Sequence, residues 1–251
     1  HQYSITKKLQ LLTDLQFRKV DYEFRGTRKF PSLLVDAEFN FFNPKLGISY
    51  LAKGVNFYAS YAIANKEPNR NDFETGAAAA NPNAERLFDW EAGAEKNELN
   101  YSWGINFYHM KYKDQLVLTG KINDVGDAVR INVPNSYRFG TELQGRVKIG
   151  RAVQVSGNLT WSKNKIINFA DNIPRYDLNF DLVKQDTFFF RKTVLAFSPD
   201  IVASGMLQVF PFKHAEMNWV SKYVSRQYLD NTGNTAKSIN PYFVSDLRFQ
   251  Y

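Results

Sequence analysis

The sequence has no cysteine, only three methionines and only three histidines among its 251 residues. The absence of cysteine excludes disulfides, thiol catalysis and thiolate metal sites. No run reaches about 18 consecutive apolar residues, so the sequence predicts no transmembrane helix; a membrane barrel stays open, because its strands need only alternate. The first ten residues, HQYSITKKLQ, lack the apolar run of a signal peptide. We therefore interpret the chain as a processed product or as part of something longer.

The net charge is +7, from 32 Lys and Arg against 25 Asp and Glu. The cations are scattered along the chain and do not form the clustered stripe of a nucleic-acid groove, so we predict no nucleic-acid partner. A basic lumen that attracts anions is one explanation of the excess. Solvated charge on a wet strand face is the simpler explanation for most of it.

Aromatic residues are abundant, with 21 Phe and 14 Tyr, and this enrichment favours strands over helices. The stretch FGTELQGRVKI (139–149) shows how they are arranged. Every second residue from Phe139 forms a nearly apolar face, and the residues between are Gly, Glu, Gln, Arg and Lys. This period of two predicts a β-strand whose two faces meet different surroundings.

Ten segments of this kind predict strands. They are residues 9–24, 44–52, 55–65, 86–96, 101–112, 137–149, 152–162, 199–210, 215–228 and 241–251. Strands of soluble sheets usually end after about five or six residues, whereas tilted membrane strands need about 9–11. The lengths therefore favour a membrane barrel.

The connections between these segments alternate strictly between short and long. The tight turns are 53–54, 97–100, 150–151 and 211–214, and the long loops are 25–43, 66–85, 113–136, 163–198 and 229–240. An up-and-down outer-membrane barrel has short periplasmic turns and longer outer loops. A soluble sandwich is not expected to sort its loops in this way.

Large aromatic residues lie near the ends of the predicted strands. They are Tyr101, Trp103, Tyr112, Trp161, Trp219, Tyr223 and Tyr228. Tyr and Trp at both ends of an apolar band form the girdles of a membrane barrel. We therefore predict an all-β fold, a transmembrane antiparallel up-and-down β-barrel whose apolar face contacts lipid. A soluble antiparallel sheet with one face on a protein core is the alternative.

No catalytic or metal-binding motif is found. His109 follows Trp103, Ile105 and Phe107 on an apolar face, and His214 falls in a tight turn, so we assign both structural roles. The acidic loop stretches NRNDFE, NDVGD and FADNIPRYDLNFD could offer oxygen ligands to calcium, but none fits the calcium-binding loop of about twelve residues. We predict no catalytic residue, no metal ligand, no cofactor and no enzymatic activity.

Several stretches resemble the barrel of TonB-dependent outer-membrane receptors. FFNPKLGISYLAKGVNFYASYAIANKEPNRNDFE (41–74) is the closest match, and its order is strand, tight turn, strand and outer loop. LLTDLQFRKVDYEFRG (11–26), AERLFDWEAGAE (84–95), NVPNSYRFGTELQG (132–145) and PYFVSDLRFQY (241–251) resemble further strands. The matches cover most of the chain, and their order and spacing are more specific than any single one.

The resemblance implies that residues 1–251 are a C-terminal part of the receptor barrel, about ten strands of a larger, 22-stranded barrel. Two departures from the family support a partial barrel. We expect neither a plug domain nor an energy-coupling box in residues 1–251, and the ten predicted strands are fewer than half of the family's.

The resemblance further implies a transporter in the outer membrane of a Gram-negative bacterium. Its work would be the import of a scarce, bulky ligand: an iron chelate such as a siderophore complex, haem, a corrinoid or a glycan. The implied partners are outer-membrane lipid, this extracellular ligand, and a TonB-type energy-coupling protein that acts through a plug domain not in this chain. The alternative is a self-contained ten-stranded barrel with a surface enzymatic or adhesive role.

In the family, outer loops and the upper lumen contact the ligand. By this resemblance, candidate ligand-binding residues lie in the stretches NKEPNRNDFE and DQLVLTGKINDVGDAVRIN. They are Lys66, Glu67, Arg70, Asn71, Asp72, Lys121, Asn123 and Arg130. Arg and Lys suit the oxygens of carboxylates and iron chelates, whereas ordinary loop solvation is the simpler explanation for any single residue.

Overall fold

A computed structural model describes the protein at residues 1–28, 30–75, 82–122, 128–179 and 181–251. This part of the chain is built almost entirely of β-strands. They are β1 (Gln2–Ser4), β2 (Leu9–Arg25), β3 (Leu34–Ala52), β4 (Val55–Lys66), β5 (Glu85–Asn97), β6 (Tyr101–Ile122), β7 (Ala128–Ile149), β8 (Val153–Tyr176), β9 (Leu182–Val194), β10 (Ile201–Val209), β11 (Glu216–Val224), β12 (Gln227–Tyr228), β13 (Ser238–Ile239) and β14 (Tyr242–Gln250). A short helix, α1 (Arg70–Thr75), and a 3-10 turn (Thr235–Lys237) complete the described elements. No helix in the described ranges is long and apolar enough to cross a membrane.

The main sheet is antiparallel and follows the chain from β1 to β8, then continues through β10, β11 and β14. β9 pairs with the C-terminal half of β8, and β10 pairs with its N-terminal half. β12 and β13 form a separate two-stranded sheet. β1 and β14 are the edges of the main sheet, which is therefore open. The predicted up-and-down antiparallel order is confirmed.

The register carries the alternation seen in the sequence from strand to strand. On one face, Leu46, Tyr61, Trp90, His109 and Phe139 form one row across β3 to β7. These side chains are solvent-exposed or half-buried, and Trp90 is 56% exposed. A face that leaves large apolar side chains uncovered over most strands suits lipid and not a protein core. We call it the outward face.

The opposite, inward face is polar. Tyr58, Gly93, Asn106, Glu142 and Thr160 form one of its rows across β4 to β8. The Tyr58 hydroxyl donates a hydrogen bond of 3.1 Å to Asn106 Oδ1. Such a face is the expected wall of a water-filled or protein-filled lumen.

Tight turns close one end of the sheet, as predicted. In the two-residue turn between β3 and β4, Lys53 and Gly54 have φ of 50° and 77°. Two successive positive φ angles match the twist of an antiparallel hairpin, and glycine adopts the second at little cost. We call this end the short-turn end and the opposite end the long-hairpin end.

The predicted long loops 25–43, 113–136 and 163–198 were largely wrong. β3 begins at Leu34, and β6 and β8 continue far above the lipid-facing band. β8 alone has 24 residues, which span about 80 Å at about 3.3 Å per residue. Strands β1, β9 and β13 were not predicted, and the predicted strand 215–228 is divided into β11 and β12.

The error has a physical reason. Above the lipid, both faces of a hairpin contact water or protein, so the backbone ladder continues while the apolar–polar alternation stops. Asp114 in β6 and Asn168 in β8 have positive φ angles of 54° and 53°, which interrupt the period of two. Sequence alternation therefore marks the lipid-crossing part of each strand and not the whole strand.

A small apolar cluster packs at the long-hairpin end. It consists of the buried residues Val117, Val133, Ile166, Phe169 and Leu195. Ile166 is fully buried and pairs with the buried, inward-facing Ser136. The cluster joins the upper parts of β6, β7 and β8 to the bend after β9, and so gives the long hairpins a core of their own.

Gly140 in β7 tests the close packing of the inward face. A Cβ atom at Gly140 would overlap the carbonyl oxygen of Trp161 and lie 2.6 Å from the Tyr108 hydroxyl. We expect Gly140→Ala to lower the free energy of unfolding by about 1–3 kcal/mol, the usual cost of overpacking. Denaturant unfolding in detergent micelles measures this change.

Gly145 provides the matched control on the same strand. A Cβ there would lie 3.8 Å from its nearest neighbour, the Ser102 carbonyl oxygen. We expect Gly145→Ala to change the free energy of unfolding by less than about 0.5 kcal/mol. Equal losses in the two variants would contradict the packing described for Gly140.

Candidate ligand-binding site at the long-hairpin end

Two connecting segments fold inward over the long-hairpin end. The first follows β4 and contains α1, whose Phe73 is buried. The ring centroid of Phe73 lies 6.2 Å from that of Tyr22 and 5.9 Å from that of Phe24, both in edge-on geometry. These aromatic contacts fix the short helix against β2, which a helix of one and a half turns could not achieve by its own stability.

An ion pair holds the start of this segment. Arg18 in β2 binds Glu67 with both terminal nitrogens, one of them at 2.9 Å from Oε1. The Arg18 guanidinium also lies over the Phe41 ring, 5.0 Å from its centroid. Burial alone would raise the pKa of Glu67, but the hydrogen bond and charge of Arg18 outweigh it and place this pKa below its ordinary value of 4.5.

A second ion pair joins α1 to β7. Asp72 is 2% exposed, and its Oδ1 lies 3.3 Å from Arg130 Nη1. Its Oδ2 accepts a hydrogen bond of 2.8 Å from the backbone N–H of Asn69. The buried carboxylate is therefore neutralised and hydrogen-bonded, as a buried charge must be.

The second inward segment connects β11 to β14, and Asn231 is its anchor. Asn231 is fully buried. Its Nδ2 donates to the Leu118 carbonyl at 2.8 Å, and its Oδ1 accepts from the Ala196 N–H at 2.8 Å. Its own carbonyl accepts from the Thr193 hydroxyl at 2.5 Å. One side chain thus ties this segment to β6 and to the chain beyond β9.

Asp230 organises the turn that follows. Burial alone would raise its pKa, but hydrogen bonds from the Thr232 hydroxyl and N–H, with the charge of Lys237, hold the pKa below its usual range. Lys237 Nζ lies 3.0 Å from Asp230 Oδ2. The segment is therefore fixed by its own polar contacts as well as by Asn231.

Between the first inward segment and strands β6 and β7 lies a cavity of about 200 Å³, which we call the mouth pocket. Its charged lining residues are Lys66, Asp72, Arg130 and Arg138; the others are Gln115, Leu116, Val117, Leu118, Leu195 and Ala196. Lys66 is paired with Glu85 at 3.4 Å. Because Lys66 and Arg130 are paired with Glu85 and Asp72, Arg138 is the charge that makes the pocket a candidate anion site.

Arg138 is the cation of the mouth pocket with the fewest partners. Its guanidinium lies over the Tyr112 ring, 5.8 Å from the centroid. Its Nε is buried without a hydrogen-bond partner, and the described residues give it no ion pair. A guanidinium that lines a cavity without an ion-pair partner can bind a carboxylate or another oxyanion in a forked geometry.

The candidate residues taken from the sequence are only partly brought together. Lys66, Asp72 and Arg130 line the mouth pocket. Glu67 is engaged by Arg18 beside it. The remaining candidates lie elsewhere: Arg70 pairs with Glu74 at 2.8 Å, Asn71 is on the exposed side of α1, Lys121 pairs with Asp171 at 3.3 Å, and Asn123 lies outside the described residues.

Sequence reasoning missed Arg138, Gln115 and Asn231. A signal for Arg138 was present, because it precedes FGTELQGRVKI on the polar face of the same strand. Gln115 follows the irregular Asp114, where the alternation changes phase, and Asn231 lies in a segment without periodicity. No local pattern could have placed these two residues.

The histidines and acidic loops have the following surroundings. His109 lies on the outward face between Trp90 and Phe139, and His214 lies in a turn with φ of 69°, as predicted for both. Within the described ranges, no group of three or more His, Asp or Glu residues is placed to hold a metal ion.

The sequence matches the family model described as "TonB dependent receptor-like, beta-barrel" over residues 1–251. No curated protein matches it. Several solved structures match, and because their sequence identities to this chain are only 15% and 16%, they show the fold alone. The ferric-catecholate import receptor Fiu of Escherichia coli K12 has 15% identity and a TM-score of 0.66, with 99% of this chain and 36% of that one covered.

Two further structures give the same result. The siderophore receptor PiuA of Acinetobacter baumannii has 16% identity and a TM-score of 0.72, with 98% of this chain and 35% of that one covered. The FrpB iron transporter of Neisseria meningitidis has 16% identity and a TM-score of 0.66, with coverages of 98% and 36%. The chain therefore spans about a third of the length of these structures.

Removing the Asn231 side chain tests the anchor. In Asn231→Ala, the Leu118 carbonyl and the Ala196 N–H lose their partner inside the protein, which costs about 1–3 kcal/mol per buried group. We expect faster hydrogen exchange and proteolysis across residues 225–241. The control is Asn240→Ala, at an exposed position of the same segment. Unchanged exchange in Asn231→Ala would refute the anchoring role.

The low pKa of Glu67 predicts a pH dependence. A carboxyl whose pKa is lower in the folded state contributes stability above its unfolded pKa and loses it as the pH falls through the folded value. We therefore expect the denaturation midpoint to fall as the pH is lowered below about 4.5. In Glu67→Gln the fall in the denaturation midpoint that Glu67 causes should disappear. The control is Glu23→Gln, at an exposed position, which should keep the same fall.

Proposed function

The chain belongs to the TonB-dependent receptor β-barrel family, and from this membership we propose that it forms part of the wall of an outer-membrane transporter. In this proposal residues 1–251 are a partial barrel domain in a Gram-negative outer membrane. The long-hairpin end faces the outside and captures a scarce, bulky ligand. The short-turn end faces the periplasm, as in other outer-membrane barrels.

The mouth pocket is the observation that carries this proposal. Two segments fold inward at the end where a ligand would arrive, and buried polar contacts of Asp72 and Asn231 hold them there. The pocket beside the first segment is lined by Arg138, whose buried Nε has no hydrogen-bond partner. A preorganised cavity with a few converging polar groups is the usual form of a small-molecule site.

The charge of the pocket favours one ligand class. Family members are transporters or receptors, and three of the matching structures are those of a ferric-catecholate import receptor, a siderophore receptor and an iron transporter. Lys66, Arg130 and Arg138 suit an anionic metal chelate better than a neutral glycan. We therefore propose an anionic iron chelate, ahead of haem or a corrinoid, with a glycan least favoured.

The energised step would involve a plug domain and a TonB-type protein. The inward face offers a polar surface for a plug, since cavities of about 510 and 380 Å³ lie along it. Glu95, Gln144 and Asn158 line both of them. In the proposed cycle, ligand capture at the mouth precedes movement of the plug when the energy-coupling protein pulls on it.

The alternative of a surface enzyme or adhesin has no comparable support. Three acidic residues near the mouth are engaged in ion pairs: Asp72 with Arg130, Glu67 with Arg18 and Asp171 with Lys121. A general acid or base needs a carboxyl that can exchange its proton with a substrate. No described feature favours this alternative over transport.

Arg138→Gln tests the proposed site. The probes are an anionic ferric catecholate chelate, haem, a corrinoid and a neutral oligosaccharide, offered to the intact protein in detergent. We expect the variant to weaken binding of the ferric chelate at least about tenfold, because a charged hydrogen bond contributes about 1.5–3 kcal/mol. Isothermal titration calorimetry measures the change in Kd.

The control is Arg151→Gln, which removes an exposed cation at the opposite, short-turn end. The affinity of this variant for the ferric chelate should equal that of the unaltered protein. Two results would overturn the proposal: equal affinity in Arg138→Gln, or tight binding of the neutral oligosaccharide with no binding of the anionic probes.

A further inference from the structure

A group of cations lies on the outward face, on the side of the sheet opposite the mouth pocket. It comprises Arg86 in β5, Lys111 and Lys113 in β6, Lys165 in β8 and Lys192 in β9, and we call it the basic belt. It occupies two neighbouring rows of the sheet. The rows are Phe88–Lys111–Tyr137–Lys165–Val194 and Arg86–Lys113–Asn135–Ile167–Lys192.

The basic belt lies directly above an aromatic row. The next row toward the short-turn end contains Trp90, His109 and Phe139, and Trp161 follows one row below. Trp90 and Trp161 are 56% and 40% exposed. On the outward face of β6, the side chains between Tyr101 and His109 are apolar. With the tilt of a barrel strand, this stretch covers about 20 Å of membrane depth. The belt therefore begins where the apolar band ends.

The cations of the belt are largely unneutralised. The described residues give no ion pair to Lys111, Lys113, Lys165 or Lys192. Lys192 Nζ lies over the Tyr137 ring, 5.2 Å from its centroid, and Arg86 Nε donates to Asn65 Oδ1 at 2.9 Å.

The row below the belt shows the contrast. There, Lys163 is paired with Asp200. The belt thus concentrates like charges on a small area of sheet, about 20 Å across five strands and about 7 Å high. Mutual repulsion in such an area is relieved when anions bind to it.

We propose that the basic belt binds the phosphate groups of anionic lipid headgroups in the outer leaflet. This inference rests on the proposed function, since it requires insertion in a membrane with the long-hairpin end outside. Lys111 and Lys165 flank Tyr137 and are two strands, or about 10 Å, apart, so a phosphate between them can accept from both ammonium groups. Their apolar stems lie along the sheet while the ammonium groups reach the headgroup level.

Lipid fits better than free phosphate. The aromatic row immediately below binds the acyl and interfacial part of the same molecule, so one lipid satisfies both surfaces. Each basic residue near an anionic membrane surface contributes about fivefold to binding at low salt. A soluble phosphate would gain only the electrostatic part of this interaction.

The test uses the intact protein with bisphosphorylated lipid A as the probe, in phosphatidylcholine nanodiscs. The variant carries Lys111→Gln, Lys165→Gln and Lys192→Gln. We expect it to bind the probe on the order of 100-fold more weakly at low salt, because three charges are lost. Native mass spectrometry of retained lipid gives the ratio. Dephosphorylated lipid A should bind weakly to both proteins.

A matched control removes three cations at the short-turn end: Lys7→Gln, Lys8→Gln and Lys213→Gln, all at exposed positions. It should retain the probe like the unaltered protein. Unchanged gel mobility on heating verifies that each variant is folded. Inorganic phosphate at millimolar concentration should not displace the lipid; displacement would show a simple phosphate site and overturn the assignment to lipid.

Failure of this inference is distinguishable from failure of the proposed function. If the protein inserts into nanodiscs and binds the ferric chelate, but the triple variant retains lipid A as well as the control does, the lipid assignment is wrong and transport stands. If the protein does not insert at all, the proposed function fails and the inference fails with it.

Discussion

The structure depends on one constraint: a backbone that crosses lipid must pair every N–H and C=O with a neighbouring strand. An antiparallel sheet in which each strand pairs with the next meets this requirement along the chain. Pairing fixes the register, and register fixes which side chains share a face. The apolar row through Trp90 and Phe139 and the polar row through Tyr58 and Glu142 are both consequences of the same ladder.

The same constraint is relaxed above the lipid, and there the protein builds its most specific features. Hairpins such as β8–β9 continue the ladder into a region where water or protein can satisfy either face. Inward segments then become possible, because their polar groups can be paired one by one. Asp72, Glu67 and Asn231 each occupy a site in which charge or amide groups are matched by named partners.

Charge is distributed between the two faces in different ways. On the inward side, Lys66 and Arg130 at the mouth pocket are balanced by carboxylates, and Arg138 is the exception, with no ion pair among the described residues. On the outward side, the described residues give the lysines of the basic belt no acidic partner. One sheet can carry both charge arrangements because neighbouring residues of a strand, such as Lys111 and Tyr112, point to opposite sides.

The sequence alone was enough to place ten lipid-crossing strands, their apolar and polar faces and the tight turns, because alternation is imposed locally by the two solvents. It could not show how far β3, β6 and β8 continue, since alternation stops where the lipid does. It named Lys66, Asp72 and Arg130 without showing that they meet, and it passed over Arg138 and Asn231. Only the tertiary structure brings these residues together, because strand register and the inward folding of two segments join positions more than fifty residues apart.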